Sequence, residues 1–121
     1  MKEDYPAYHK KLRKLAAELS RDLRGPMSAF AQLNGATTAP GALDAKTKQL
    51  LALGIAISTQ CRGCIAYHVH DAIRAGASRD EILETMGVSI LMGGGPAVIQ
   101  ACEALEAMDQ FTSAEKPVHS P

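Results

Sequence analysis

An all-α, single-domain fold is what this sequence predicts, and three observations predict it. Apolar residues recur at three- and four-residue spacing through most of the chain. Gly/Pro clusters cut that pattern into about six segments, and no stretch alternates apolar and polar residues as a half-buried strand does. With 121 residues, 46% of them apolar, the chain can bury one modest core but not two, so 1–121 is expected to be one domain.

The first helix is expected over residues 5–23, where Tyr8, Leu12, Leu15, Leu19 and Leu23 form a stripe among charges and Gly25-Pro26 then stops it. A short second helix over 27–33 carries Met27, Phe30, Ala31 and Leu33, with Asn34-Gly35 and Pro40-Gly41 marking a loop after it. Asp44 can cap a third helix, because its carboxylate accepts the orphan amide hydrogens of the first turn. Residues 50–57 are apolar on nearly every side, so that helix should be buried, in part between subunits. The fourth helix opens at Cys61 and runs to residue 75, with Gly76 placed as a left-handed terminator. Ser78 and Glu81 make a capping box for the fifth, which carries Ile82, Leu83, Met86, Val88, Ile90 and Leu91, and Met86 and Met92 read as core filler. Gly93-Gly94-Gly95-Pro96 breaks the chain before a last helix that reaches about Gln110, leaving 112–121 as a loose tail. The apolar excess of the third and sixth helices predicts a homo-oligomer.

Composition removes several function classes. Thirteen basic and thirteen acidic residues cancel, and no basic cluster is interleaved with aromatics, so no nucleic-acid partner is expected. The first residues are charged where a signal peptide needs an apolar core, and no apolar run approaches a membrane span, which predicts a cytoplasmic protein with no membrane partner. The glycine run lacks the Lys-Ser/Thr of a phosphate loop.

The chemistry sits in Cys61-Arg62-Gly63-Cys64 with His68. On a helix, residues three and four apart share a face, so both sulfurs and the imidazole converge. Such a dithiol, with a neighbouring base and a helix N-terminus favouring its thiolate, can exchange two electrons with a peroxide or another disulfide. In a reducing compartment a close cysteine pair is more often catalytic or metal-binding than structural. A zinc site from Cys61, Cys64, His68 and His70 competes, but positions 68 and 70 lie about 200° apart on a helix. Covalent haem attachment would need a histidine where Ile65 stands. His70 is read as a surface or interface residue, His9 and His119 carry no signal, Tyr67 is read as packing beside the motif, and Cys102 as a buried core thiol. No cofactor is expected.

Lys46-Thr-Lys-Gln-Leu-Leu-Ala-Leu-Gly-Ile-Ala, the Cys61-x-x-Cys64-x-x-x-His68 motif, Ala75-Gly-Ala-Ser-Arg-Asp-Glu-Ile82 and Gly93-Gly-Gly-Pro-Ala97 together resemble the carboxymuconolactone decarboxylase family, specifically its alkylhydroperoxidase D-like branch, over roughly residues 40–110. The resemblance implies an all-helical fold, assembly into homotrimers or homohexamers with active sites near subunit contacts, and thiol-dependent reduction of hydroperoxides or disulfides. It implies that Cys64 is the peroxidatic cysteine, Cys61 its resolving partner, and His68 part of a proton relay. It also implies regeneration by an external dithiol, lipoyl or thioredoxin-like. The relay glutamate of that branch, twelve positions before the first cysteine, is replaced here by Gln49, which can orient a group but cannot exchange a proton near neutral pH. Gly63 stands where some members have a histidine between the cysteines. The alternatives are a redox-sensing or oligomeric binding module and, less favoured, a decarboxylase, whose chemistry does not depend on a cysteine pair.

Overall fold

The computed structural model describes residues 3–115. Six helices follow one another: α1 (Tyr5–Asp22), α2 (Arg24–Thr38), α3 (Ala45–Ser58), α4 (Arg62–Arg74), α5 (Arg79–Gly93) and α6 (Gly95–Glu115). Helices α3, α4, α6 and α5 pack in that cyclic order as a four-helix core, α1 lies across α4 and α6, and α2 rests chiefly on α1. All-α is therefore the observed class, and among the described residues there is no strand.

The core draws Leu53 and Ile57 from α3, Ile65 and Val69 from α4, Ile82 and Met86 from α5, and Met108 and Phe111 from α6. Ala97, Ala101 and Ala104 precede Met108 and Phe111 on one stripe of α6 at alternating four- and three-residue steps. Small side chains on that stripe let α4 and α5 approach the α6 backbone closely. The helix ends follow local chemistry. The Asp44 carboxylate accepts the Thr47 amide at 2.7 Å, and Ser78 and Glu81 form the expected capping box. Gly76, at φ 94°, ends α4 as expected, its amide on the Ile73 carbonyl and that of Ala77 on the Ala72 carbonyl.

Several boundaries differ from the sequence reading. Helix α1 ends at Asp22, and Gly25 and Pro26 lie in the first turn of α2, where the missing proline N–H has no helical acceptor to lose. Helix α2 runs straight through Asn34-Gly35 to Thr38, because the Thr37 and Thr38 hydroxyls close its last turn onto the Leu33 and Asn34 carbonyls. Ala39, before Pro40, is held extended and ends it. Residues 112–115, expected in a loose tail, are helical, since buried Phe111 carries α6 onward. The rest of that tail, with His119, lies outside the described residues. Helix α3 is not buried all round: Leu53, Ala56 and Ile57 face the core while Leu51 and Ile55 are exposed. Met92 is exposed too, whereas Met86 is core, because only the latter faces α3 and α6.

Candidate functional site

The cysteine turn is built by the junction of two helices. Helix α3 closes with a Schellman arrangement in which the Gln60 amide donates to the Ile57 carbonyl and the Cys61 amide to the Ala56 carbonyl. Gln60 takes the left-handed position at φ 57°, a conformation that costs a non-glycine residue energy and that the two hydrogen bonds hold in place. Cys61 is thereby fixed at the end of one helix while serving as N-cap of the next, its sulfur receiving the Cys64 amide at 3.3 Å. The Cα atoms of Cys61 and Cys64 lie 5.2 Å apart and their sulfurs are joined as a disulfide, with Cys61 half-buried and Cys64 exposed.

One turn beyond Cys64, His68 is half-buried between α3 and α4, and its Nδ1 lies 2.9 Å from Oε1 of Gln49. With that oxygen as acceptor, Nδ1 carries the proton and Nε2 keeps its lone pair. Burial pushes the imidazole below its ordinary pKa, and the charge of Asp71 opposes this only in part. Of the residues singled out from the sequence, Gln49 and His68 meet across α3 and α4, and Cys61 and Cys64 meet in the turn where α4 begins.

His70 is elsewhere. It points to the α1 side, where its Nδ1 meets the Asp71 carboxylate at 3.0 Å and its ring stacks on His9 at 4.2 Å. The four donors of a Cys61/Cys64/His68/His70 zinc site do not converge. His9, without any signal in the sequence, is buried, edge-on to Tyr67 and Phe111, and burial with the neighbouring His70 charge lowers its pKa. Cys102, read as a core thiol, is exposed, because it lies one residue beyond buried Ala101 and so about 100° round the helix from the buried stripe.

Sequence reasoning also missed the clamp around Arg62. The guanidinium lies over the Tyr5 and Tyr8 rings at 5.6 and 5.2 Å and pairs with Glu3 and Glu103, and its hydrogen bonds with Glu3 and then Tyr5 hold its pKa above the ordinary range. Tyr5 donates its phenol to Glu103, and burial together with that carboxylate pushes its pKa up to about 12. Helix α1 closes over the turn at Gly63, where an added Cβ would sit 3.3 Å from Leu12 Cδ1 and 3.6 Å from the Tyr8 hydroxyl. The signal was present: Tyr5, Tyr8, His9 and Leu12 fall on one helical face.

The sequence profile of the carboxymuconolactone decarboxylase family matches residues 26–107. This chain belongs to that family. A carboxymuconolactone decarboxylase family protein of Legionella pneumophila superposes with a TM-score of 0.88 at 38% identity, covering 92% of this chain and 99% of that one. A family protein of Thermotoga maritima, tied to a possible antioxidative response, superposes at 0.72 with 28% identity over 83% of this chain and 92% of its own. An uncharacterised protein of the Paracoccus denitrificans cox locus is 42% identical over 86 residues, 71% of this chain and 78% of that protein. Within the family fold the cysteine turn is the first turn of α4, and no helix among the described residues is long and apolar enough to cross a membrane.

Proposed function

We propose that this protein is a thiol-dependent oxidoreductase that cycles Cys61 and Cys64 between dithiol and disulfide. The observation that carries the reading is the disulfide across the first turn of α4, with Cys64 exposed and neutral His68 one turn further on. The antioxidative tie of the Thermotoga relative supports the same class.

In the reduced protein, His68 Nε2 takes the Cys64 proton and the helix terminus favours the resulting thiolate. Against a hydroperoxide, the thiolate attacks the outer oxygen, an alcohol leaves, and Cys64 becomes a sulfenic acid. The Cys61 thiol condenses with it, water is released, and the disulfide forms. An external dithiol then donates two electrons and two protons to restore the pair. Against a disulfide, the same thiolate expels a thiolate instead. Gln49 weights these alternatives: without a relay carboxylate, His68 alone returns the proton to the leaving group. A thiolate (pKa about 8.5) leaves without that help far more easily than an oxyanion near the basicity of hydroxide (conjugate acid about 15.7). Disulfide exchange is therefore the better-supported half of the activity.

The test is the intact mass of reduced protein before and after one equivalent of oxidant, then excess dithiol. Loss of about two mass units at Cys61 and Cys64, reversed by the dithiol, is expected. Thiols that remain alkylatable would sink the reading. Exposed Leu51, Ile55, Leu91 and Met92 favour a second reading, a redox-sensing oligomeric module. Steady turnover with dithiol separates the two, since a sensor reacts once.

A further inference from the structure

Helix α1 is lightly seated. Of its 18 residues only Tyr5 and His9 are buried, while Tyr8 and Leu12 are half-buried and Leu15 and Leu19 are exposed. An element with so few buried contacts is the one that opens by itself, ahead of the core. Tyr5 is pinned, its phenol on Glu103 and its amide on Oε1 of Gln110 at 2.7 Å. His9, one turn further on, is seated among rings. It stacks on His70 with centroids 4.2 Å apart and meets Tyr67 and Phe111 edge-on.

That seat accepts one proton but not two. A proton on His70 is compensated by the Asp71 carboxylate, 3.0 Å from its Nδ1. A second, on His9, sets like charges face to face where burial withholds water, with Arg13 adding to the repulsion and only Asp71 opposing it. Tyr67 and Phe111 bring no charge to offset it. His9 is thus held below 6.5, so the docking of α1 is at full strength above that pH and weakens as pH falls below it. His68 lies on the opposite side, against Gln49 of α3.

The neighbours of His9 on α1 bear on the cysteine turn. Leu12 Cδ1 and the Tyr8 hydroxyl lie 3.3 and 3.6 Å from where a Cβ on Gly63 would sit, and the Tyr8 ring covers the Arg62 guanidinium at 5.2 Å. Arg62 and Gly63 are the two residues between Cys61 and Cys64. Resting on the oxidoreductase reading, we propose that α1 is an acid-released brace on the Cys61–Cys64 turn, with the His9–His70 stack as its catch. When both imidazoles are protonated, α1 swings from its pinned end at Tyr5, and Tyr8 and Leu12 lift away with His9. The first turn of α4 then loosens at Gly63, a residue with no side chain to restrain its backbone, and the disulfide across that turn opens more readily to a reductant.

The experiment follows two quantities in oxidised full-length protein as pH is lowered: hydrogen-exchange protection of α1 and α6, each corrected for intrinsic exchange, and the rate at which a water-soluble trialkylphosphine cleaves the Cys61–Cys64 bond. His9→Phe keeps a ring in the stack without a proton to bind, and dividing native rates by those of this variant cancels the pH dependence of the phosphine itself. Between pH 6.5 and about 5.5, protection of α1 should fall about three- to fivefold in the native protein while α6 holds, and the native-to-variant cleavage ratio should rise by a similar factor. Asp71→Asn, which removes the one compensating charge, should move both changes to higher pH, and it carries the test if His9→Phe does not fold. Protection of α1 that is indifferent to pH, or that falls only together with α6, overturns the catch. Opening of α1 with an unchanged cleavage ratio overturns the brace and leaves the oxidoreductase intact. Reduced cysteines that no oxidant returns to the disulfide fell the oxidoreductase reading, and this regulation of it falls too, whatever α1 does.

Discussion

Nδ1 of His68 lies 2.9 Å from Oε1 of Gln49, so the histidine one turn after the exposed Cys64 is oriented by a neutral amide from the neighbouring helix. A carboxamide fixes the ring as well as a carboxylate does, but it adds no charge to hold the imidazolium. Burial then dominates and the ring stays neutral at neutral pH.

Gln49→Glu therefore raises the His68 pKa, by about one unit or more for a carboxylate at hydrogen-bond distance. The neutral base then persists only at higher pH, and the pH midpoint of Cys64 oxidation moves upward with it. Titration of the ring proton by NMR, set beside the pH–rate profile, checks both halves. A midpoint that does not move would show that Gln49 has no electrostatic bearing on the ring.

The His9–His70 stack makes stability sensitive to acid. His9 is held below the ordinary 6.5 by burial and by His70, with Arg13 acting the same way and Asp71 opposing. Below pH 6.5 the unfolded chain binds a proton at His9 that the folded chain refuses. The contribution is thus complete above 6.5 and is lost as pH falls toward the depressed folded value. His68, lowered as well, adds to the same slope. His9→Phe keeps a ring against His70, Tyr67 and Phe111, so the decline in Tm between pH 7.5 and 5 should become shallower without vanishing. An unaltered slope would place the acid sensitivity elsewhere.

Gly63 sets how closely α1 can lie on the cysteine turn. Alanine there gains up to about 1 kcal/mol of helix propensity and meets only the flexible end of Leu12 at 3.3 Å, so Gly63→Ala should be neutral within about 1 kcal/mol. Gly63→His has no room under Tyr8 and Leu12 and should cost about 1–3 kcal/mol as α1 is pushed away. Urea unfolding of both variants measures the difference. Equal stabilities would mean that α1 does not bear on the turn.

Homo-oligomerisation is predicted from α2. Its 15 residues include none that is buried, and residues 25–43 carry no charge. A solvated helix of that length is marginal even with good formers, and this one holds Gly25, Gly35, Thr37 and Thr38. Sedimentation should give a mass well above the 12.8 kDa of one chain, and Phe30→Glu should lower both that mass and the helical signal. A native monomer with full helicity would refute the assembly.

Much of the fold was legible because its signals are local. Asp44, the Ser78/Glu81 box and Gly76 each act within one turn of themselves: the first two start helices and the third ends one where their spacing says. Asn34-Gly35 misled for the converse reason: threonine hydroxyls three and four residues along, invisible to a rule about turns, keep that segment helical. Cys102 misled because apolar character is a poor guide on a helix whose buried stripe is made mostly of alanine.

By itself the sequence determined six helices, a dithiol at the mouth of the fourth and a histidine one turn beyond, because helical periodicity and capping depend on residues three and four apart. Only the tertiary structure decided which long-range partners those groups meet. Gln49 reaches His68 across 19 residues, Glu103 reaches Tyr5 across 98, and His9 finds His70 because α1 crosses α4. Such contacts depend on how helices pack in three dimensions, and that packing comes from the summed fit of many core side chains, which no local spacing encodes.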